Sequence, residues 1–101
     1  DSLVDEQVEN GSWDGENMDH TMDACRNLIL VADTFNQKEK YSSAIAKGVR
    51  WLLDEKNELG WGDFKEEASN VERTADGLDT LLKYRRFCSN EPMSHFWAYS
   101  K

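Results

Sequence analysis

From Val71 onward, the apolar positions Ala75, Leu78 and Leu82 recur at i, i+4, i+7 and i+11, the spacing of one helix face. Ser69-x-x-Glu72 stands ahead of that stripe as a capping box, so a helix is predicted over residues 70–86. Met22, Cys25, Ile29 and Ala32 form an equivalent stripe and predict a helix over 19–35. Tyr41, Ile45, Gly48 and Leu52, flanked by Ala44 and Trp51, predict another over 41–55. A further helix is expected to begin near Asn90, where a capping residue precedes Glu91-Pro92, and to carry Met93, Phe96 and Trp97. No stretch alternates cleanly in β-branched residues, so no sheet is expected beyond a short pairing near Trp61. The fold class is all-α.

The connecting segments carry an internal repeat. Leu3-Val4-Asp5-Glu6-Gln7-Val8-Glu9-Asn10-Gly11-Ser12-Trp13 lies over Leu52-Leu53-Asp54-Glu55-Lys56-Asn57-Glu58-Leu59-Gly60-Trp61 with one residue gapped, and Thr21-Met22-Asp23-Ala24 continues over Thr74-Ala75-Asp76-Gly77. The period is about 50 residues, within the range of stacked or ring-like repeats. Two units, about 3–51 and 52–101, make one partial domain, expected to be a segment cut from a longer series. Each Gly-Trp segment sets a large aromatic among glycines, and water-exposed loops avoid Trp. Trp13 and Trp61 are therefore expected to be packed as staples between hairpins, with a ligand-facing role as the sharper alternative.

Charge and cysteine usage narrow the functional classes. The 101 residues hold 20 acidic and 12 basic side chains, a net charge of -8, which builds no broad field attractive to phosphate backbones. Nucleic-acid binding is disfavoured. The longest apolar run, Leu28 to Ala32, is far short of the ~20 residues that span a bilayer, so no transmembrane segment is expected. Cys25 and Cys88 lack Cys-x-x-Cys spacing and read as buried or half-buried free thiols in a reducing cytoplasm. Asn10-Gly11-Ser12 fits a glycosylation acceptor, which matters only in a secreted protein.

Lys47-Gly48-Val49-Arg50-Trp51-Leu52-Leu53, followed by an acidic turn and Gly60-Trp61-Gly62, resembles the QW repeat of terpenoid cyclases of the squalene-hopene cyclase type and their prenyltransferase relatives. Lys47, Gly48, Trp51, Leu52, Gly60 and Trp61 match that pattern. The Gln position departs in this copy, with Glu55 or Lys56 in its place, whereas the earlier copy has Gln7 before Gly11 and Trp13. The resemblance runs roughly from Leu3 to Arg86. It implies an α/α toroid, with the helices over 19–35 and 70–86 in an inner ring around an apolar isoprenoid pocket and the helix over 41–55 outside. It also implies peripheral membrane association. Two hairpins do not close a ring, so the expected partners are the remaining repeats of a parent chain or other copies, together with a hydrophobic isoprenoid ligand.

The chemistry this family implies finds only partial counterparts. Class II cyclases draw a proton from an Asp-x-Asp-Asp motif, in which clustered carboxylates raise one pKa. Asp76-Gly77-Leu78-Asp79 keeps the outer acids but places Leu78 where the donor belongs, leaving Asp76 and Asp79 as candidates without an assigned role. Prenyltransferases bind zinc through Asp, Cys and His. Asp23 and Cys25 with His20 or His95 offer those ligand types, but Asp23 and Cys25 point about 200° apart on a helix. Asp14, Glu16, Asn17 and Asp19 miss the calcium-loop spacing. No cofactor is expected. The leading expectation is an isoprenoid-handling toroid in which this segment is mainly structural. The alternatives are a non-enzymatic helical repeat that binds a protein or lipid or self-associates, and a polysaccharide-acting toroid in which Trp13 and Trp61 meet sugar rings.

Overall fold

The computed structural model describes residues 2–63 and 67–89. Among them lie α1 (Ser2–Asp5), α2 (Met18–Thr34), α3 (Lys38–Glu55) and α4 (Val71–Ser89), and no strand. The protein is all-α. The expected pairing near Trp61 is a single bridge between Asn57 and Gly60. The helix expected near Asn90, with Met93, His95, Phe96 and Trp97, lies outside the described residues.

The connector 35–37 between α2 and α3 is too short for anything but an antiparallel hairpin. Asn36 sits at φ +53, and Gln37 N–H donates to the Ala32 carbonyl at 2.8 Å, so α2 ends in a left-handed cap that turns the chain back. Contacts between α2 and α4 ascend together: Arg73 reaches Asp19, and Arg26 reaches Asp76 and Asp79. These helices are therefore parallel neighbours. Lys38 Nζ, at the start of α3, lies 4.7 Å from the Phe87 ring near the end of α4, so α3 runs antiparallel to both.

The predicted stripes of the hairpin form the core. Met22, Cys25, Ile29 and Ala32 of α2 and Tyr41, Ile45, Gly48, Leu52, Ala44 and Trp51 of α3 are all buried. The helix stripe of α4 behaves differently. Val71 is 87% exposed, Leu78 54% and Leu82 50%, and Ala75 is also exposed. α4 instead docks through Arg73, Gly77, Thr80 and Phe87. The reason is steric: the Trp61 ring lies so close to Gly77 that a Cβ there would collide with it, so the face that carries this glycine is the one that admits the indole. The helix start is corrected too. Asn70, not Ser69, caps α4 by accepting the Arg73 N–H at 2.8 Å, and Glu72 turns to the Arg73 guanidinium rather than back to the cap.

The two tryptophan corners make matching bonds. Trp13 N–H donates to Thr21 Oγ1 at 2.9 Å and its indole Nε1 donates to the Leu3 carbonyl at 2.8 Å. Trp61 N–H donates to Thr74 Oγ1 at 3.1 Å and its indole Nε1 to the Leu52 carbonyl at 2.8 Å. Each threonine follows an asparagine cap, Asn17 or Asn70, in the same register. Each corner therefore ties the preceding helix end to the first turn of the following helix, with every polar atom of the buried indole and its amide satisfied. Both rings are buried, Trp13 at 3% and Trp61 at 0% exposure.

The corners differ in how their turns are braced. Gln7 Nε2 donates to the Gly11 carbonyl at 3.0 Å and to the Ala44 carbonyl of α3 at 2.9 Å, so one side chain joins the turn to α3. In the second copy Asn57 Oδ1 accepts the amides of Leu59 and Gly60 at 2.9 and 3.0 Å. Gly60 has φ +136, and a Cβ there would strike the Thr74 side chain, so the turn requires glycine both for its dihedral and for its proximity.

Truncation of Trp61 to Ala removes a fully buried indole and orphans the Leu52 carbonyl, and is expected to destabilise the chain by about 3–5 kcal/mol in denaturant titration. Gly77→Ala is expected to cost about 1–3 kcal/mol by driving a methyl into the same ring. A Trp61→Ala effect below about 0.5 kcal/mol would remove the staple role.

Candidate functional site

The polar centre of the molecule is a set of charges between α2 and α4. Arg73 is 5% exposed, and its guanidinium is held by Asp19, by Glu72 at 2.6 Å, by Asp76 at 3.1 Å and by Asp63 at 3.4 Å. Arg26, half-buried on α2, pairs with Asp23 and reaches Asp76 at 3.3 Å and Asp79 at 3.5 Å. Burial works against both guanidiniums, but the hydrogen-bonded carboxylates outweigh it and raise their pKa values above the usual arginine range. Both stay cationic at any pH the fold survives.

This pairing decides the role of the two candidate acids. Asp76 is shared between Arg26 and Arg73. Asp79 accepts from Lys83 Nζ at 2.8 Å, and that bond, assisted by the nearby charges of Lys83, Arg26 and Arg86, holds its pKa below the ordinary carboxylate value despite partial burial. A proton donor to an alkene needs the opposite environment, one that disfavours the charged form. The geometry at Asp79 therefore suits a bridge between helices and is wrong for an acid catalyst.

The metal-ligand candidates are not brought together. Cys25 is fully buried in the core against α3, and burial pushes its thiol up to about 12, far from the thiolate that zinc requires. Asp23 is exposed and engaged by Arg26. His20 Nδ1 lies 2.5 Å from Asp14 Oδ2 on the surface. Among the described residues no group of three or more His, Cys, Asp and Glu side chains converges in a way that could hold a metal, and His95 lies outside them. Cys88, expected to be at least half-buried, is exposed and bonds with the Tyr84 hydroxyl, whose pKa rises through that bond first and burial second.

A groove of about 350 Å³ runs along the same seam, lined by Asn27, Ile29, Leu30, Asp33 and the charged tips of Arg26, Asp79, Lys83 and Arg86. Its size is at the lower limit of small-molecule sites. Trp61 is fully buried and Trp13 reaches only the edge of a separate groove at 3% exposure, so neither indole offers a face for stacking on a sugar ring. Among the described residues no helix is long and apolar enough to cross a membrane.

The sequence stripes gave no hint of Arg26 and Arg73. Their signal lay in the polar positions: a base on α2 and on α4 with an acid three residues away, Asp23 before Arg26 and Asp76 after Arg73. The threonines were visible as part of the repeat, but their use as acceptors for the tryptophan amides was not.

Arg73→Met keeps the volume but takes the shared cation from Asp19 and Asp63 and leaves Asp76 with Arg26 alone, and is expected to cost ~2 kcal/mol in urea unfolding. For Asp79, the folded pKa is depressed, so its stabilisation is present above the unfolded value of ~4 and is lost as pH falls through the lower folded value. Asp79→Asn should therefore lower stability at neutral pH by a few tenths of a kcal/mol, the side chain being partly solvated, and flatten the loss below pH ~4. With a thiol reagent at pH ~8, where a free cysteine is partly thiolate, Cys88 should label at once and Cys25 only on unfolding. Prompt labelling of both thiols would contradict the packing of α2 against α3.

Searches against protein-family models, curated proteins and solved structures give no match to this chain.

Proposed function

We propose that this chain is an arc of an α/α toroid of the terpenoid cyclase and prenyltransferase type, whose complete form handles isoprenoid substrates and in which these residues are mainly structural. The observation that carries the reading is the equivalence of the two corners: Gly-Trp turns that bond to the helix before and to the threonine of the helix after. The parallel pair α2 and α4, with α3 antiparallel beside them, is the arrangement that two inner helices and one outer helix of such a ring adopt. In this reading the seam groove, with Leu30 and Ile29 among charged tips, faces the ring interior, and the proton donor belongs to another segment, because Asp79 is held ionised by Lys83.

The test is made on the complete gene product. Further Gly-Trp corners of the same pattern, with an Asp-x-Asp-Asp motif or a diphosphate- or metal-binding set, are expected beside these residues. The purified product incubated with squalene or a prenyl diphosphate should then release a cyclised or transferred isoprenoid. A gene product with no further corner and no turnover of either substrate would overturn the reading.

A second reading, a non-enzymatic helical repeat that binds a protein or lipid or self-associates, is favoured by one observation. The stripe of Val71, Ala75, Leu78 and Leu82 is a contiguous apolar face on α4 with no described element against it. Single exposed apolar residues are ordinary, but a full helical stripe marks a contact surface.

A further inference from the structure

The first corner holds the one Asn-Gly step in the chain, Asn10-Gly11. An asparagine amide followed by glycine is open to attack by the next backbone nitrogen, because glycine brings no side chain to obstruct ring closure. In the second corner Leu59 precedes the glycine, and no such reaction is open to it.

The folded corner closes this chemistry off at both reacting groups. Gly11 is buried, its N–H donates to the Val8 carbonyl at 2.9 Å, and its carbonyl accepts from Gln7 Nε2 at 3.0 Å. At φ +101 its Cα lies so near the Lys47 carbonyl of α3 that a Cβ would collide with it. The Asn10 side chain is held separately. Its Oδ1 accepts from the Ser12 amide at 3.0 Å and the Ser12 hydroxyl at 2.6 Å, and its Nδ2 donates to Glu16 Oε1 at 3.1 Å. The Val8 N–H, bonded to the Ser12 carbonyl at 2.8 Å, closes the turn around both. Attack requires the Gly11 nitrogen to give up its proton and Asn10 Cγ to swing onto it, so these bonds must break first.

We infer that Asn10 is a self-modification site, at which opening of the first corner is converted into a lasting break in it. The Gly11 nitrogen loses its proton to solvent and bonds to Asn10 Cγ. The Cγ–Nδ2 bond breaks, and the amide nitrogen leaves as ammonia with a proton returned from solvent. Water then opens the succinimide at either carbonyl, giving aspartate or isoaspartate. Aspartate sets a carboxylate where Nδ2 met Glu16, replacing a hydrogen bond with like charges. Isoaspartate lengthens the main chain by one carbon beside Gly11, where the contact with Lys47 leaves no room. Either product weakens the turn that sets Trp13 on Thr21. The inference rests on the bonds of the corner and not on isoprenoid chemistry, so its failure leaves the toroid reading standing.

The test follows, by mass spectrometry, the peptide carrying Asn10 from the full chain incubated in mildly alkaline buffer and digested at intervals. In urea that unfolds the chain, the mass gain of amide-to-acid conversion should appear at Asn10 ahead of every other asparagine. In native buffer it should be slower by about 10-fold or more, because the reaction waits on local opening. Gln7→Ala removes the tie between the turn and α3, and Glu16→Ala removes one hold on the amide; each should speed the native reaction several-fold. Glu16 is not part of the core, so that variant reads the rate even where Gln7→Ala fails to fold. Gly77→Ala, which loosens the other corner, should leave the rate unchanged. The modified chain, separated by its added negative charge, should unfold at a lower urea concentration than the unmodified one. No reaction at Asn10 in urea overturns the inference, as does a native rate equal to the unfolded one. So do unchanged rates in both Gln7→Ala and Glu16→Ala, an equal acceleration by Gly77→Ala, or a modified chain as stable as the original.

Discussion

A buried indole N–H must find an acceptor or lose much of what its burial contributes. In this protein both corner indoles find theirs in a carbonyl at the end of the preceding helix, Leu3 for Trp13 and Leu52 for Trp61. The amide of the same tryptophan donates forward to a threonine in the first turn of the next helix. One residue thereby fixes the exit of one helix and the entry of another, and the remaining packing is arranged around that joint. The demand for glycine follows from it. Gly77 lets α4 lie against the Trp61 ring, and Gly60 brings the turn onto Thr74.

Docking α4 by the face that carries Gly77 places Arg73 against α2, where an unneutralised cation would be costly. Carboxylates from three places meet it: Asp19 of α2, Asp63 of the corner, and Glu72 and Asp76 of α4. Several of these acids remain partly solvated, so the network costs less than a fully interior one. It specifies which helix faces meet more than it stabilises them. The same charges explain why Asp76 and Asp79 serve as bridges. At Asp79 the lysine and arginine beside it favour the ionised form, the opposite of the environment that an acid catalyst needs.

The hairpin was legible because its stripes are unambiguous: every apolar position assigned to the inside of α2 and α3 is inside. The repeat was legible because Trp, Gly and Thr recur in one order. α4 misled the pattern, since helical periodicity reports that a face is apolar and not whether a neighbour covers it. The stripe from Val71 to Leu82 has the right spacing and faces water. The cap of α4 was displaced by one residue because Ser69 and Asn70 both qualify by type and only the backbone register chooses between them. Arg26 and Arg73 stayed hidden because their partners lie some fifty positions away in the chain, beyond any local reading.

The parallel course of α2 and α4 has an electrical consequence. Two helices side by side in the same direction set their partial positive ends together and their partial negative ends together, an arrangement that opposes itself. The chain answers by composition: Asp19 and Glu72 occupy the first turns, and Arg86 lies in the last turn of α4. The acidic excess of the protein is thus partly a lining for the end where amide dipoles converge. That lining makes the rim at the two helix starts negative, with the Arg73 cation set among its carboxylates.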